Sequence, residues 1–352
     1  MNRPAVFAAS TAGCGLAALA YGGLIERNAF TLRRFDVPVL PPGSLPLTVL
    51  HVSDLHLTAG QFRKQRWISA LADLEPDLVV NTGDTISDPA AIPAILRTLE
   101  PLTQFPAVFV PGNNDYYGPR PSTPARYFTP DKPRPYGPAM PWPELAAAMV
   151  AQGWIDLTHR RATVSDTATD TVSDMSSEPG SDTVSDMSSE PGSGMTSGRA
   201  SHPAFEPGSG TDSEPGSGTD SGTWFEIALA GTDDPHLGRA DYDLIAGPAD
   251  PFATVRIGVT HSPEPALLSR FADDGYDLVL AGHTHGGQVR VPFGPAIVTN
   301  CGIDVHRARW LHRWDERMWF HVCAGLGTNP FMPIRFACRP EASLLTLVPR
   351  AD

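Results

Sequence analysis

The chain has 352 residues, which is enough for one large α/β domain or for two compact ones. Its apolar share of 41%, with 32 glycines and 36 prolines, indicates an ordinary core diluted by loop-rich segments. The formal net charge of -13 argues against a nucleic-acid backbone as partner, although most of the excess lies between positions 164 and 222. Four cysteines without paired spacing argue against a disulfide framework and are expected to be buried thiols.

The first predicted element is an apolar N-terminal segment. Residues 5–25 carry no charge, and a run of this length suffices for a helix to span a bilayer. We therefore predict a transmembrane anchor over 1–26, followed by a linker over 27–45. A cleaved secretory signal and a buried core helix are the alternatives. More arginines follow this segment than precede it, which favours the cell membrane with the rest of the chain on the cytoplasmic side.

From position 46 the pattern becomes that of a globular α/β domain, which we assign to 46–350. A buried strand is predicted over 47–52, and apolar residues at helical spacing predict a helix over 63–74. Further elements are a short helix at 92–99 and strands at 77–81, 107–110, 162–164, 224–230, 255–259, 277–280 and 320–323. Alternating strands and helices are typical of parallel β-α-β units.

A low-complexity segment interrupts this domain at 164–222. The sequence TVSDMSSEPGS occurs twice in it, and so does EPGSGTDS. Such polar repeats bury too little apolar surface to offset the entropy lost on ordering, so we predict that this insert is disordered. It lies between two predicted strands and fits an expanded hairpin loop.

Five short motifs carry the candidate chemistry, and all but one directly follow a predicted strand. They are Asp54-Leu55-His56, Gly83-Asp84, Gly112-Asn113-Asn114-Asp115, Thr260-His261 and Gly282-His283-Thr284-His285. Ligands of open α/β sheets bind outside the carboxyl ends of the strands, so residues far apart along the chain are expected to converge there. Buried carboxylates need partners, and the scarcity of Lys and Arg near these motifs indicates a cation.

The residue types in these motifs indicate transition metals. Imidazole together with carboxylate suits Mn, Fe or Zn, whereas Mg and Ca prefer oxygen ligands alone. Two ions need a bridging carboxylate, and Asp84 is the natural bridge because its strand lies between the others. The sequence therefore predicts two divalent transition-metal ions of unspecified identity.

In this order, the motifs DxH, GD, GNxD, a lone His and GHxH resemble those of the calcineurin-like metallophosphoesterases. The resemblance extends from 47 to about 347, apart from the insert. It implies a four-layer α-β-β-α sandwich with two mixed sheets and metals at one edge. The N-terminus and the GHTHGGQ form of the last motif are most similar to a membrane-tethered bacterial branch, which includes UDP-2,3-diacylglucosamine pyrophosphatase-like enzymes.

The resemblance also implies a ligand set and a reaction. The first ion would be bound by Asp54, His56, Asp84 and His285, and the second by Asp84, Asn113, His261 and His283. A hydroxide bridging both ions would attack phosphorus in line. The implied activity is hydrolysis of a phosphomonoester, phosphodiester or pyrophosphate, in a phosphorylated small molecule or a lipid-linked substrate at the membrane, with no nucleic acid as partner.

One position departs from the family pattern. Asn114 stands where the family usually has a His that protonates the leaving group, and an amide cannot act as a general acid near neutral pH. That loss typically costs ~10²–10⁴-fold, so we expect a leaving group that is already a weak base. The alternative is a catalytically weakened metal-binding membrane sensor or scaffold. Asp115 is interpreted either as a group that orients the ligands or as a turn residue.

The other histidines receive structural interpretations. His51 lies within the first strand and is expected to pack in the core. His236 follows a strand and could approach the site, although an Asx-type turn is the expected explanation. No role is assigned to His159, His202, His306, His312 and His321. A metal-dependent amidase or peptidase remains as another class, and the lack of an HExxH motif argues against it.

Overall fold

The computed structural model describes residues 15, 17–121, 123, 136–165, 225–329 and 332–351. Its helices are α1 (Phe62–Ser69), α2 (Ile92–Leu99), α3 (Asn113–Tyr116), α4 (Trp142–Ala151) and α5 (Pro265–Asp273). Its strands are β1 (Thr31–Leu40), β2 (Leu47–Val52), β3 (Leu78–Asn81), β4 (Ala107–Phe109), β5 (Ile155–Asp156), β6 (Arg160–Ser165), β7 (Glu226–Gly231), β8 (Val255–Val259), β9 (Leu278–Ala281), β10 (Trp310–Arg313), β11 (Trp319–Val322) and β12 (Glu341–Pro349).

These strands form two six-stranded sheets that mix parallel and antiparallel pairs. The first sheet has the order β1-β12-β2-β3-β4-β5, and the second has the order β10-β11-β9-β8-β7-β6. The central neighbours β2, β3 and β4 are parallel, as are β7, β8 and β9. Parallel neighbours require crossover connections, which α1, α2 and α5 supply between successive strands. The prediction of two mixed sheets is confirmed.

Three clusters of buried side chains divide the fold into four layers. The middle cluster joins both sheets, for example Val49 and Val80 of the first with Ile257 and Leu280 of the second. Helices α1, α2 and α4 cover the outer face of the first sheet, and α5 covers that of the second around Phe271. Strands covered on both faces read as continuous apolar runs, which is why the sequence located β2, β3, β4, β8 and β9. The predicted α-β-β-α sandwich is confirmed.

The linker predicted over 27–45 is wrong for most of its length. Within it, β1 forms the edge of the first sheet and pairs in parallel with β12, from Thr31 opposite Glu341 to Leu40 opposite Pro349. An edge strand has one row of backbone N–H groups outside the ladder, so it tolerates Pro38, which suggested a linker in the sequence. The partner strand β12 lies near the other end of the chain, and no local sequence pattern indicates a pairing over that distance.

Two predictions fall mainly outside the described residues. The structure describes only the last part of the anchor predicted over 1–26, which ends in helical turns at Tyr21–Ile25 and Glu26–Asn28. Within the described residues, no helix is both long and apolar enough to cross a membrane. Of the insert predicted over 164–222, only the first two residues are described. They end β6, which pairs antiparallel with β7 as the predicted hairpin requires.

Candidate metal centre

Seven polar side chains meet beyond the carboxyl ends of five strands. They follow β2, β3, β4, β8 and β9, in loops or, for Asn113, at the start of α3, and they are Asp54, His56, Asp84, Asn113, His261, His283 and His285. Parallel neighbours end on the same edge of a sheet, so loops that are distant along the chain lie side by side. The sandwich therefore brings together all seven residues that the sequence singled out as ligands.

Four of these side chains form a compact group of possible ligand atoms. One atom each from Asp54, His56, Asp84 and His285 lies within 4.8 Å of the others, and all four side chains are buried. The His56 Nε2 atom is 3.5 Å from Asp84 Oδ2, and the His285 Nε2 atom is 3.6 Å from Asp54 Oδ1. Metal–ligand bonds of about 2.0–2.2 Å leave neighbouring ligand atoms at roughly such separations, so this group suits one cation.

A second group adjoins the first at Asp84. The His261 Nε2 atom is 3.6 Å from Asp84 Oδ1 and 3.3 Å from His283 Nδ1. The Asn113 Oδ1 atom is 3.2 Å from the same nitrogen of His283. Asp84 thus presents one carboxylate oxygen to each group, with Oδ2 near His56 and Oδ1 near His261. This arrangement can hold two cations around one shared carboxylate.

Burial governs the charge of the two carboxylates. Asp54 Oδ2 accepts hydrogen bonds from Ser53 Oγ at 2.6 Å and from the backbone N–H of His283 at 3.0 Å. Its buried Oδ1 accepts none from the described residues. Burial raises the pKa of Asp54 above its ordinary value and raises that of Asp84 to about 8. Once ionised, such groups need a positive partner, and a divalent cation bound among them fits that need.

The imidazoles differ in charge state. Burial, reinforced by nearby cations, lowers the pKa of His56 and of His285 well below the ordinary value, so both rings are neutral at pH 7. Burial opposes protonation of His261 as well, but the neighbouring carboxylates outweigh it and raise its pKa to about 9. Histidine binds metals as the neutral ring, so a cation would replace this proton. The His261 Nδ1–H donates to the Thr82 carbonyl at 2.6 Å, which leaves Nε2 facing Asp84.

Five of the seven side chains project from left-handed backbone. The φ angles are 48°, 42°, 53°, 67° and 50° at Asp54, His56, Asp84, His283 and His285. Each non-glycine residue in this region costs about 1–3 kcal/mol, and such strain clusters at functional sites. Glycine permits the close packing of these loops, because a Cβ atom at Gly282 would collide with Ser53 Oγ and with Asp54 Oδ2. The chain thus holds five of the seven candidate ligands in an unfavourable backbone conformation.

Asp115 connects two of the loops. Its Oδ1 accepts hydrogen bonds from the backbone N–H groups of Thr85 at 2.8 Å and Ile86 at 3.1 Å, and its Oδ2 accepts one from Gly112 at 2.9 Å. These bonds fix the loop that carries Asp84 relative to the loop that carries Asn113. Of the two interpretations of Asp115, the geometry favours a group that orients the ligands.

Asn114 also contacts the shared carboxylate. Its backbone N–H donates to Asp84 Oδ1 at 2.7 Å, and its side-chain Nδ2 donates to Asp84 Oδ2 at 2.6 Å. The residue at the position where the family usually has a histidine therefore holds Asp84 in place. An amide supplies these hydrogen bonds but no acidic proton.

His236 and His51, which are outside the ligand set, lie where the sequence predicts, and His236 also contacts a candidate ligand. Asp234 accepts hydrogen bonds from the backbone N–H groups of His236 at 3.1 Å and of the next residue at 3.0 Å, which is the expected Asx-type turn. The ring of His236 also lies against that of His283, with centroids 4.4 Å apart, so this residue both forms the turn and approaches the site. His51 is buried in the core, where its Nδ1 lies 2.9 Å from His321 Nδ1.

The sequence motifs did not reveal two buried cations that brace the ligand loops. Arg335 donates to the carbonyls of Ala324 at 2.7 Å and Gly327 at 2.6 Å, and the backbone N–H of Gly327 donates to the Asp54 carbonyl at 2.6 Å. Lys64 Nζ donates to the Leu55 carbonyl at 2.5 Å. Neither residue belongs to a spaced motif at a strand end. Arg335 lies among apolar neighbours in the sequence, whereas Lys64 lies among basic and polar ones and gave no signal.

Fold and site together define an α/β metalloprotein whose ligands come from loops at the carboxyl edge of its sheets. The family model described as Calcineurin-like phosphoesterase matches residues 47–287, a range that contains all seven candidate ligands. The chain belongs to this family, and its domain is of the metal-binding hydrolase class.

Curated relatives match a shorter stretch of the chain. The uncharacterized protein YpbG of Bacillus subtilis is 35% identical over 34% of this chain and 42% of its own length. The phosphodiesterase YaeI of Escherichia coli is 32% identical over 35% of this chain and 42% of its own length. A bovine transmembrane protein with a metallophosphoesterase domain is 36% identical over 23% of this chain and 20% of its own length. The match thus spans at most about two fifths of these relatives.

Proposed function

We propose that this protein hydrolyses a phosphate ester or phosphoanhydride with two divalent transition-metal ions (Mn, Fe or Zn) bound at the candidate metal centre. The observation that carries the proposal is the position of Asp84, whose oxygens lie 3.5 Å from His56 and 3.6 Å from His261 in two different ligand groups. The relative YaeI is named a phosphodiesterase, which supports the same class of reaction.

In this proposal, each ion has four protein ligands and Asp84 serves both. The first set is Asp54, His56, Asp84 and His285, and the second is Asp84, Asn113, His261 and His283. When bound, the ions supply Lewis acidity, which acidifies the attacking water and neutralises charge on the phosphoryl oxygens. Partners at the far ring nitrogens orient the imidazoles, namely Ser87 Oγ at 3.0 Å from His56 Nδ1 and the Thr82 carbonyl beside His261. Such partners strengthen metal binding.

Asn114 limits which substrates the site processes quickly. Its amide donates hydrogen bonds but transfers no proton near neutral pH. Without a general acid at this position, the leaving group departs unprotonated, which favours weak bases. A diphosphate bond or an aryl ester therefore suits this site better than an alkyl ester.

We further propose that the substrate is lipid-linked and that the protein is held at the cell membrane by residues 1–26, with its domain on the cytoplasmic side. The apolar run over 5–25 and the bovine relative named as a transmembrane protein support the membrane location. The resemblance to UDP-2,3-diacylglucosamine pyrophosphatase-like enzymes points to a lipid-linked diphosphate, the bond type that Asn114 favours.

Turnover of bis(p-nitrophenyl) phosphate by the full chain tests the proposed function. With added Mn²⁺, the wild type is expected to release p-nitrophenol, and Asp84→Asn is expected to lose more than ~100-fold, because it weakens both ion sites at once. Asp73→Asn removes an exposed carboxylate away from the centre and is expected to match the wild type.

A metal-binding membrane sensor or scaffold is the second candidate. The contact of both Asn114 donors with Asp84 favours it, because those bonds compete for the shared carboxylate. The same assay separates the two functions. Equal rates in the wild type, in Asp84→Asn and in the absence of protein would overturn the enzymatic proposal and leave the scaffold.

A further inference from the structure

A cavity of about 460 Å³ adjoins the metal centre at His56, which lines the cavity and also belongs to the first group of ligand atoms. The other walls come from the residues before β1, the first turn of α1, Ser87 and the loop over 326–328. None of the remaining six candidate ligands lines this cavity among the described residues. The cavity therefore lies beside the metal centre, with the His56 ring between them.

Positive charge surrounds this cavity. Arg27, Arg63 and Lys64 line it, and the described lining residues include no acidic side chain. None of these three cations forms an ion pair with a carboxylate in the described part of the chain. Among the described residues, Arg27 and Lys64 donate to backbone carbonyls alone, while Arg63 is exposed. Arg27 and Arg63 carry like charge. Burial, together with Arg335 and Arg27, lowers the pKa of Lys64 to about 7, and an anion in the cavity would relieve the repulsion and favour the charged lysine.

Two further features of the cavity suit an anion carried on an organic stem. The first turn of α1 lines it, and Gln61 at the N-cap makes no side-chain capping bond there, so backbone N–H groups add to the positive potential. Phe30, Phe62, Leu326 and Pro333 supply apolar wall area beside the cations. The volume is in the range of small-molecule sites.

We infer that this cavity is the subsite for a second anionic group of the substrate, a phosphate or carboxylate joined by a short stem to the phosphoryl group at the metal centre. The inference rests on the proposed function and narrows it to substrates that carry an extra negative charge on the portion retained after hydrolysis. Guanidinium groups such as those of Arg27 and Arg63 bind phosphate and carboxylate through paired N–H donors, which gives the subsite its preference.

Three p-nitrophenyl phosphodiesters test the inference, because they differ only in whether the second ester group is 2-phosphoethyl, ethyl or choline. With the Mn²⁺-loaded full chain at constant ionic strength, the 2-phosphoethyl diester is expected to have the lowest KM. Arg63→Gln is expected to raise that KM about tenfold, since one charge-assisted hydrogen bond is lost, and to leave the ethyl diester nearly unchanged. Arg63→Glu is expected to favour the choline diester instead.

Arg66→Gln is the matched control, because Arg66 is an exposed arginine of α1 that does not line the cavity. It is expected to keep the wild-type preference. If the wild type, Arg63→Gln and Arg66→Gln each have similar KM values for all three diesters, the inference is overturned while the proposed function stands.

Calorimetry keeps the inference testable without turnover. Ethylene glycol bisphosphate and ethyl phosphate are the products that the 2-phosphoethyl and ethyl diesters leave at the metal centre. If no diester is hydrolysed, the proposed function fails, and binding of these two compounds decides the inference by itself. Weaker binding of the bisphosphate to Arg63→Gln than to Arg66→Gln supports the subsite, and equal binding to both variants contradicts it.

Discussion

Two groups of buried histidines lie in this fold, and their surroundings differ. The core pair, His51 on β2 and His321 on β11, joins the two sheets through Nδ1 atoms 2.9 Å apart. The four histidines of the metal centre lie instead beyond the strand ends. Three of them have a ring nitrogen 3.5–3.6 Å from a carboxylate oxygen of Asp54 or Asp84. Burial lowers the pKa of His51 to about 3, whereas the carboxylates raise that of His261 to about 9.

Burial alone does not make a histidine functional. The two imidazoles of the core pair share one polar contact and are neutral, although the buried His321 Nε2 has no hydrogen-bond partner among the described residues. Buried imidazoles gathered around buried carboxylates create an excess of ligand atoms and a deficit of positive charge, which a cation corrects. Left-handed backbone at the metal centre adds strain that the core pair does not have.

The largest expected effect comes from adding a fifth histidine to the metal centre. Asn114→His places an imidazole beside Asp84 and restores a proton donor, so hydrolysis of an alkyl phosphodiester is expected to rise by ~10²–10⁴-fold, with a much smaller gain for aryl esters. Measuring kcat/KM across leaving groups of different pKa checks this. The wild type is expected to depend steeply on the leaving group and the variant weakly, and a flat dependence in the wild type would refute the role given to Asn114.

An intermediate effect is expected from loosening the loops of the metal centre without removing a ligand. Asp115→Asn weakens three backbone hydrogen bonds and is expected to cost ~10–100-fold in metal affinity or rate. Mn²⁺ titration followed by activity measures both quantities. Asp88→Asn is the control, because Asp88 accepts a backbone N–H in a neighbouring turn without bridging two ligand loops. Equal behaviour of the two variants would show that Asp115 is only a turn residue.

The smallest expected effect concerns the core pair and the pH dependence of stability. Burial lowers the folded pKa of both histidines, so below pH 6.5 the unfolded chain binds more protons than the folded one. The free energy of unfolding is therefore expected to fall with pH from 6.5 downward, by at most ~1.4 kcal/mol per pH unit for each histidine.

Urea unfolding between pH 7 and 5, with EDTA present, measures this slope. The double variant His51→Leu/His321→Phe is expected to show a shallower slope than the wild type, whereas His306→Asn, which changes an exposed histidine, keeps it. A double variant with the wild-type slope would mean that the core pair does not govern acid sensitivity.

The sequence predicted those parts of the fold whose cause is local. Strands buried on both faces, such as β2 and β8, were located by their apolar runs, and α1 by its periodicity. The sequence did not locate β1 and β12, because their pairing joins opposite ends of the chain. In addition, Pro38 is more typical of a linker than of a strand, so β1 was interpreted as a linker. Long-range pairing leaves no periodic signal within either strand.

The candidate ligands could be predicted from the sequence for a related reason. All but one of the motifs that carry the candidate ligands directly follow a predicted strand, so strand prediction placed most of these residues at one edge. The cavity beside His56 could not be predicted from the sequence, because Arg27, Arg63 and Ser87 come from unrelated segments that only tertiary packing brings together. The same holds for Arg335, whose partners are backbone carbonyls that no sequence motif marks.

The metal content of the purified chain tests the central claim most directly. Elemental analysis after dialysis against Mn²⁺ is expected to find two equivalents in the wild type and in His51→Leu/His321→Phe, and fewer in Asp84→Asn. Two equivalents retained by Asp84→Asn, or none bound by the wild type, would contradict a pair of cations held around one shared carboxylate.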